Sequence, residues 1–71
     1  MNDIDITILD LLRTNGRMTV PQLLDAIYPN APDYKKSTLR SKLYTKCKNL
    51  MLYRYIDRVE DGKQVLWEIR Q

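Results

Sequence analysis

The chain has 71 residues, with no histidine, no phenylalanine, one cysteine, two glycines and three prolines. Each scarcity excludes something. The lone Cys47 cannot close an internal disulfide, and without histidine it cannot build a zinc site. We therefore expect no metal and no cofactor. There is no Gly-rich phosphate loop and no nucleophile–base pair, so we expect no enzyme. The nine acids are scattered rather than paired. No apolar run approaches the roughly 20 residues that span a bilayer, so no membrane association is expected. The acidic start "MNDIDIT" lacks the basic region of a secretory leader. With a single thiol, this leads us to expect a reduced, cytoplasmic setting. A chain this short forms one domain, residues 1–71, and buries only about 60% of its unfolded surface. The 44% hydrophobic content is enough for a core built by packing alone.

Acidic residues are also missing from one particular place. Residues 34–50 hold six Lys and Arg and no acid, while the remainder holds six basic and nine acidic residues. The net charge of +3 is thus +6 on one segment and −3 elsewhere. Interspersed signs would suffice for solubility. A concentrated positive segment points to a polyanion.

The punctuation of the chain gives three helices and a hairpin. Ile4, Ile8, Leu11 and Leu12 recur near helical spacing, with Asp3 and Asp5 at the positive end and Asn15-Gly16 as a stop. This predicts a helix over 4–14, with Ile6 and Leu9 pointing away from its apolar stripe. Thr19 and Gln22 form a capping box, Pro21 suits a first turn, and Leu23, Leu24 and Ile27 give the second helix its apolar face up to Pro29. A third helix is expected over about 34–49. Its Leu39, Leu43, Cys47 and Leu50 fall within a stripe of about 80° that faces the core. Lys46 lies beside that stripe and must snorkel outward. Beyond it, "LYRYIDR" and "QVLWEIR" are strand-like. Asp61-Gly62 is a two-residue hairpin signal. It pairs Ile56 with Trp67, and Val65, Trp67 and Ile69 share one face. Tyr53 and Tyr55 are expected on the first strand, on the face opposite Ile56, where they could meet Leu66.

This order resembles the winged helix-turn-helix fold over essentially the whole chain: α+β, mainly α, three helices followed by a C-terminal hairpin wing at 52–70. It is similar to small repressors of the penicillinase-repressor and related archaeal types. Met18 stands where that family has a short first strand, "STLRSKL" at 37–43 looks like the start of a recognition helix, and "RVEDGK" at 58–63 looks like a wing tip. The family often closes its third helix with Gly; here Asn49 is expected to take that left-handed position. The loop "YPNAPDYKK" is longer than the tight turn of a simple helix-turn-helix.

The resemblance implies sequence-specific binding of double-stranded DNA by a transcriptional regulator, with the third helix in the major groove. Opposite the apolar stripe lie Ser37, Thr38, Ser41, Tyr44, Thr45 and Lys48, flanked by Arg40 and Lys42. Hydroxyls and guanidinium groups read base edges, so Ser37, Thr38, Arg40, Ser41, Tyr44 and Thr45 are candidate readers. Lys35, Lys36, Lys42 and Lys48 are candidate phosphate holders, with six cations that no acid in the segment neutralises. From the wing, Arg58 and Lys63 are candidates; Glu60 and Asp61 at its tip would repel phosphate. Cys47 is expected to be a buried core residue. A homodimer is one candidate assembly, through the first helix or the wing tyrosines. The alternative reading is a protein adaptor whose basic helix docks an acidic partner, with RNA binding as a third.

Overall fold

A computed structural model describes residues 2–71. It contains α1 (Asp3–Asn15), α2 (Val20–Ile27), α3 (Asp33–Leu52), β1 (Ile56–Asp61) and β2 (Gln64–Ile69). Three helices followed by an antiparallel hairpin is the expected layout.

The caps set the helix starts. Asn2 Oδ1 accepts from Asp5 N–H at 3.0 Å, and Asp5 Oδ2 accepts from Asn2 N–H at 3.2 Å, a capping box at the head of α1. The predicted box of α2 is present too: Thr19 Oγ1 accepts from Gln22 N–H at 3.2 Å, and Gln22 Oε1 from Thr19 N–H at 2.9 Å. Gly16, at φ 78°, ends α1. Met18 then exchanges two backbone hydrogen bonds with Trp67, at 3.0 and 2.8 Å. That bridge adds a third short strand position beside β2, where the family resemblance put it.

The core is one cluster. Ile8, Leu9 and Leu12 of α1, Leu23 and Leu24 of α2, and Leu43, Cys47 and Leu50 of α3 surround Ile56 and Trp67 of the hairpin. Leu9 corrects the expected phase of α1: it is 5% exposed, while Ile6 is 49% exposed. α1 packs on α2, α3 and β2 at once. A helix touched on three sides needs a wider apolar face than one stripe, and Leu9 widens it.

α3 runs three residues beyond the expected Asn49. Ending there would take Leu50 out of the core. The stop is a Schellman motif one turn later: Arg54 N–H donates to Met51 O at 2.9 Å, and Tyr55 N–H to Leu50 O at 3.0 Å. Arg54, not Asn49, takes the left-handed position, at φ 67°. A side chain there costs about 1 kcal/mol relative to glycine.

Tyr53 and Tyr55 accordingly precede β1 instead of lying on it. The hairpin turn is also shifted by one residue. Asp61 pairs with Gln64, Arg58 with Trp67 and Ile56 with Ile69, so the turn is Gly62-Lys63. Gly62 has φ 63° and Lys63 is not at positive φ. Glycine at the first central position is the type II′ pattern, which spares Asp61 a left-handed conformation. A one-residue slip of the turn moves each partner by two, so every side chain keeps its face. Val65, Trp67 and Ile69 do share the core side.

Candidate nucleic-acid interface

α3 separates its residues as the periodicity requires. Leu43, Cys47 and Leu50 are buried and Leu39 is half-buried. On the other side Ser37, Thr38, Ser41, Tyr44, Thr45 and Lys48 are exposed. Ser37, Ser41, Tyr44 and Lys48 follow one another at three- and four-residue steps and so form one ridge. Arg40 flanks that ridge on one side; on the other come Thr38 and Thr45, and beyond them the exposed Lys42 and Lys35. Lys46 is half-buried beside the core stripe.

Two ridge residues are less free than expected. The Tyr44 ring meets Trp67 edge-on, with centroids 6.0 Å apart and planes at 72°. Lys48 Nζ lies 5.8 Å from the Tyr44 ring centroid. Tyr44 thus props the hairpin against α3 and seats Lys48, leaving its exposed edge for contact.

The distribution of ion pairs separates α3 from the rest. Five of the twelve basic residues pair with an acid: Arg13–Asp10, Arg17–Glu68, Lys36–Asp33, Arg58–Glu60 and Arg70–Asp57, at 3.0 to 4.0 Å. Of the other seven, five are on α3: Lys35, Arg40, Lys42, Lys46 and Lys48. Among the described residues, no acid lies within 4.0 Å of these five. Lys36 departs from the expected set of unneutralised cations because Asp33 begins the helix one residue early. That pair is 3.3 Å long and its Asp33 side chain is 98% exposed. Exposed pairs of this kind contribute at most about 1 kcal/mol. A phosphate could displace it.

The wing candidates part company. Arg58 is held by Glu60 at 3.2 Å. Lys63, in the turn, lines an open cleft of about 540 Å³ with Thr19, Pro21 and Gln22 of the α2 start, Tyr44 of α3, and Gln64. Sequence reasoning missed the part of Thr19, Gln22 and Gln64 in this cleft. The capping-box signal located the α2 start, but nothing local says which side of the hairpin faces it. Trp67 also borders the cleft, and its indole N–H is buried with no hydrogen-bond partner.

Cys47 is fully buried. Burial, with a smaller contribution from the Asp5 carboxylate, pushes its thiol up to about 12. It is a packing residue, protonated and inert at neutral pH. Among the described residues no helix is long and apolar enough to cross a membrane.

Comparison with known protein families and with curated proteins finds no match for this chain.

Proposed function

We propose that the chain binds double-stranded DNA through α3 and acts as a transcriptional regulator in the cytoplasm. The reading is carried by one observation: off α3 most basic residues are paired with acids, whereas on α3 five of six are not. Unneutralised cations on one helix repel one another, and a polyanion offsets that repulsion by releasing its counterions. The helix is of a size that the major groove, about 12 Å wide, admits. Ser37, Thr38, Arg40, Ser41 and Thr45 read bases. Lys35, Lys36, Lys42 and Lys48 hold phosphates, and Lys63 reaches the backbone from the turn. Tyr44 supports the ridge and contacts the groove with its exposed edge. Arg58 has a lesser part, because it must first leave Glu60.

The test is heparin chromatography followed by a gel shift with random duplex DNA. Salt-dependent retention and a shift are expected. Retention with no shift would replace this reading with an adaptor for an acidic protein, and a shift only with RNA would replace the nucleic acid.

A further inference from the structure

Of the exposed large apolar side chains, Tyr34 (80% exposed) stands at the head of α3, and three others lie together at its foot. Leu52, Tyr53 and Tyr55 are 72%, 75% and 45% exposed, and they fall within four consecutive residues at the foot of α3. The fourth of these residues is Arg54, the strained one. A non-glycine residue at a left-handed position is sparsely populated and persists where something else compensates. The Schellman stop turns the chain so that Tyr53 and Tyr55 line the same cavity of about 350 Å³, and Asp5 of α1 lines its far side. The corner therefore abuts the first turns of α1, where Ile6 is also exposed.

Tyrosine and arginine beside exposed apolar groups is the composition of a protein-docking centre, not of an ordinary surface. Charge selects the partner. The first turn of α1 carries Asp3 and Asp5. The foot of α3 carries Lys46 and Arg54, with no acid within 4.0 Å of either among the described residues. One apolar patch thus has an acidic edge and a basic edge. Such a patch is complementary to itself under a two-fold rotation, which brings the acidic edge of each copy onto the basic edge of the other.

We infer that the corner Leu52–Tyr55, together with the exposed Ile6 side of α1, is the interface of a symmetric homodimer. Arg54 of each copy meets the acidic first turn of α1 in the other. The interface lies at the opposite end of α3 from Ser37 and Arg40. At about 1.5 Å per residue, Ser37 and Arg40 stand roughly 18–22 Å from Leu52 along the helix, so these base readers stay free, while Lys48 lies one turn from the interface. The dimer surface does not rest on the DNA reading.

The experiment is sedimentation equilibrium without DNA, from about 10 to 500 µM, a range suited to a weak interface. A species of twice the 8.5 kDa chain mass is expected. Leu52→Ser with Tyr53→Ser alters two exposed side chains and should weaken association at least tenfold with an unchanged melting temperature. The charge exchange is more specific. Arg54→Glu alone and Asp3→Lys alone should each be monomeric, because each places like charges together twice. Their equimolar mixture should dimerise, because both contacts are then complementary. A monomer throughout the range overturns the inference. So does a dimer that none of these variants alters, or a mixture that stays monomeric while each variant remains folded. DNA binding is measured separately, so a monomer that still shifts DNA sinks the interface alone, and a dimer that does not shift DNA sinks the DNA reading alone.

Discussion

The two sides of α3 share one backbone and have opposite tasks. The inner side places Leu43, Cys47 and Leu50 against α2, Ile56 and Trp67, and holds the domain together. The outer side contributes little to stability. Its cations are unpaired, its hydroxyls are solvated, and its one aromatic residue is half-committed to Trp67. Elsewhere on the surface, as at Arg17–Glu68 and Arg70–Asp57, basic residues are paired with acids. On the reading proposed above, unneutralised charge, more than the count of Lys and Arg, is what marks the DNA-facing surface.

The largest effect should come from the inner side. Leu43→Ala should cost about 2–5 kcal/mol in urea unfolding, since its cavity cannot collapse among α2 and hairpin side chains. Ser41→Ala, two residues back on the outer side, should stay within about 0.5 kcal/mol of the parent. Equal losses from the two would erase the distinction.

Alkaline unfolding sharpens it further. The Cys47 thiol is raised from 9.0 to about 12 in the folded chain. The unfolded thiol releases its proton near 9, while the folded one holds it. The stability it confers is full below pH 9 and is lost as the pH climbs toward 12. In that window the parent should lose about 1.4 kcal/mol per pH unit more than Cys47→Ala. Parallel curves would mean that the thiol is not in the core.

On the outer side the expected changes are in recognition. Arg40→Ala should remove about 1–3 kcal/mol of discrimination between a selected site and a scrambled duplex, as a lost bidentate guanine contact would. Lys48→Ala should weaken both duplexes alike. If both variants behave alike, the ridge holds phosphates and reads nothing. The smallest effect is a gain: Arg54→Gly should stabilise the monomer by about 1 kcal/mol, by removing a side chain from a left-handed position. A loss of stability there would mean that Arg54 makes contacts worth more than its strain.

Local chemistry made much of this legible in advance. Thr19 and Gln22 announce α2, Gly16 ends α1, and the apolar spacing of α3 separates its buried from its exposed residues. Features that depend on distant partners were not legible. Leu9 joins the core, while Ile6 stays exposed as expected, because three elements press on α1. Arg17 finds Glu68 across 51 residues of chain, and Tyr44 finds Trp67 only once the hairpin folds back. The end of α3 was missed for another reason. An arginine at a left-handed position carries no sequence signal, whereas Asn49 does. The hairpin turn was misplaced because Asp61-Gly62 and Gly62-Lys63 both satisfy two-residue turns, and the choice between them leaves the faces unchanged.

The most direct test of phosphate contact through α3 is the salt dependence of duplex binding, followed by fluorescence anisotropy for the parent, Lys48→Ala and Arg17→Ala. Four to six contacts predict a slope of log K against log salt of roughly −4 to −5 for the parent. Lys48→Ala should reduce its magnitude by about 1, and Arg17→Ala, which only breaks a pair with Glu68, should leave it unchanged. A parent slope near zero, or an Arg17 variant that changes it as much as the Lys48 variant does, would contradict a DNA-binding face on α3.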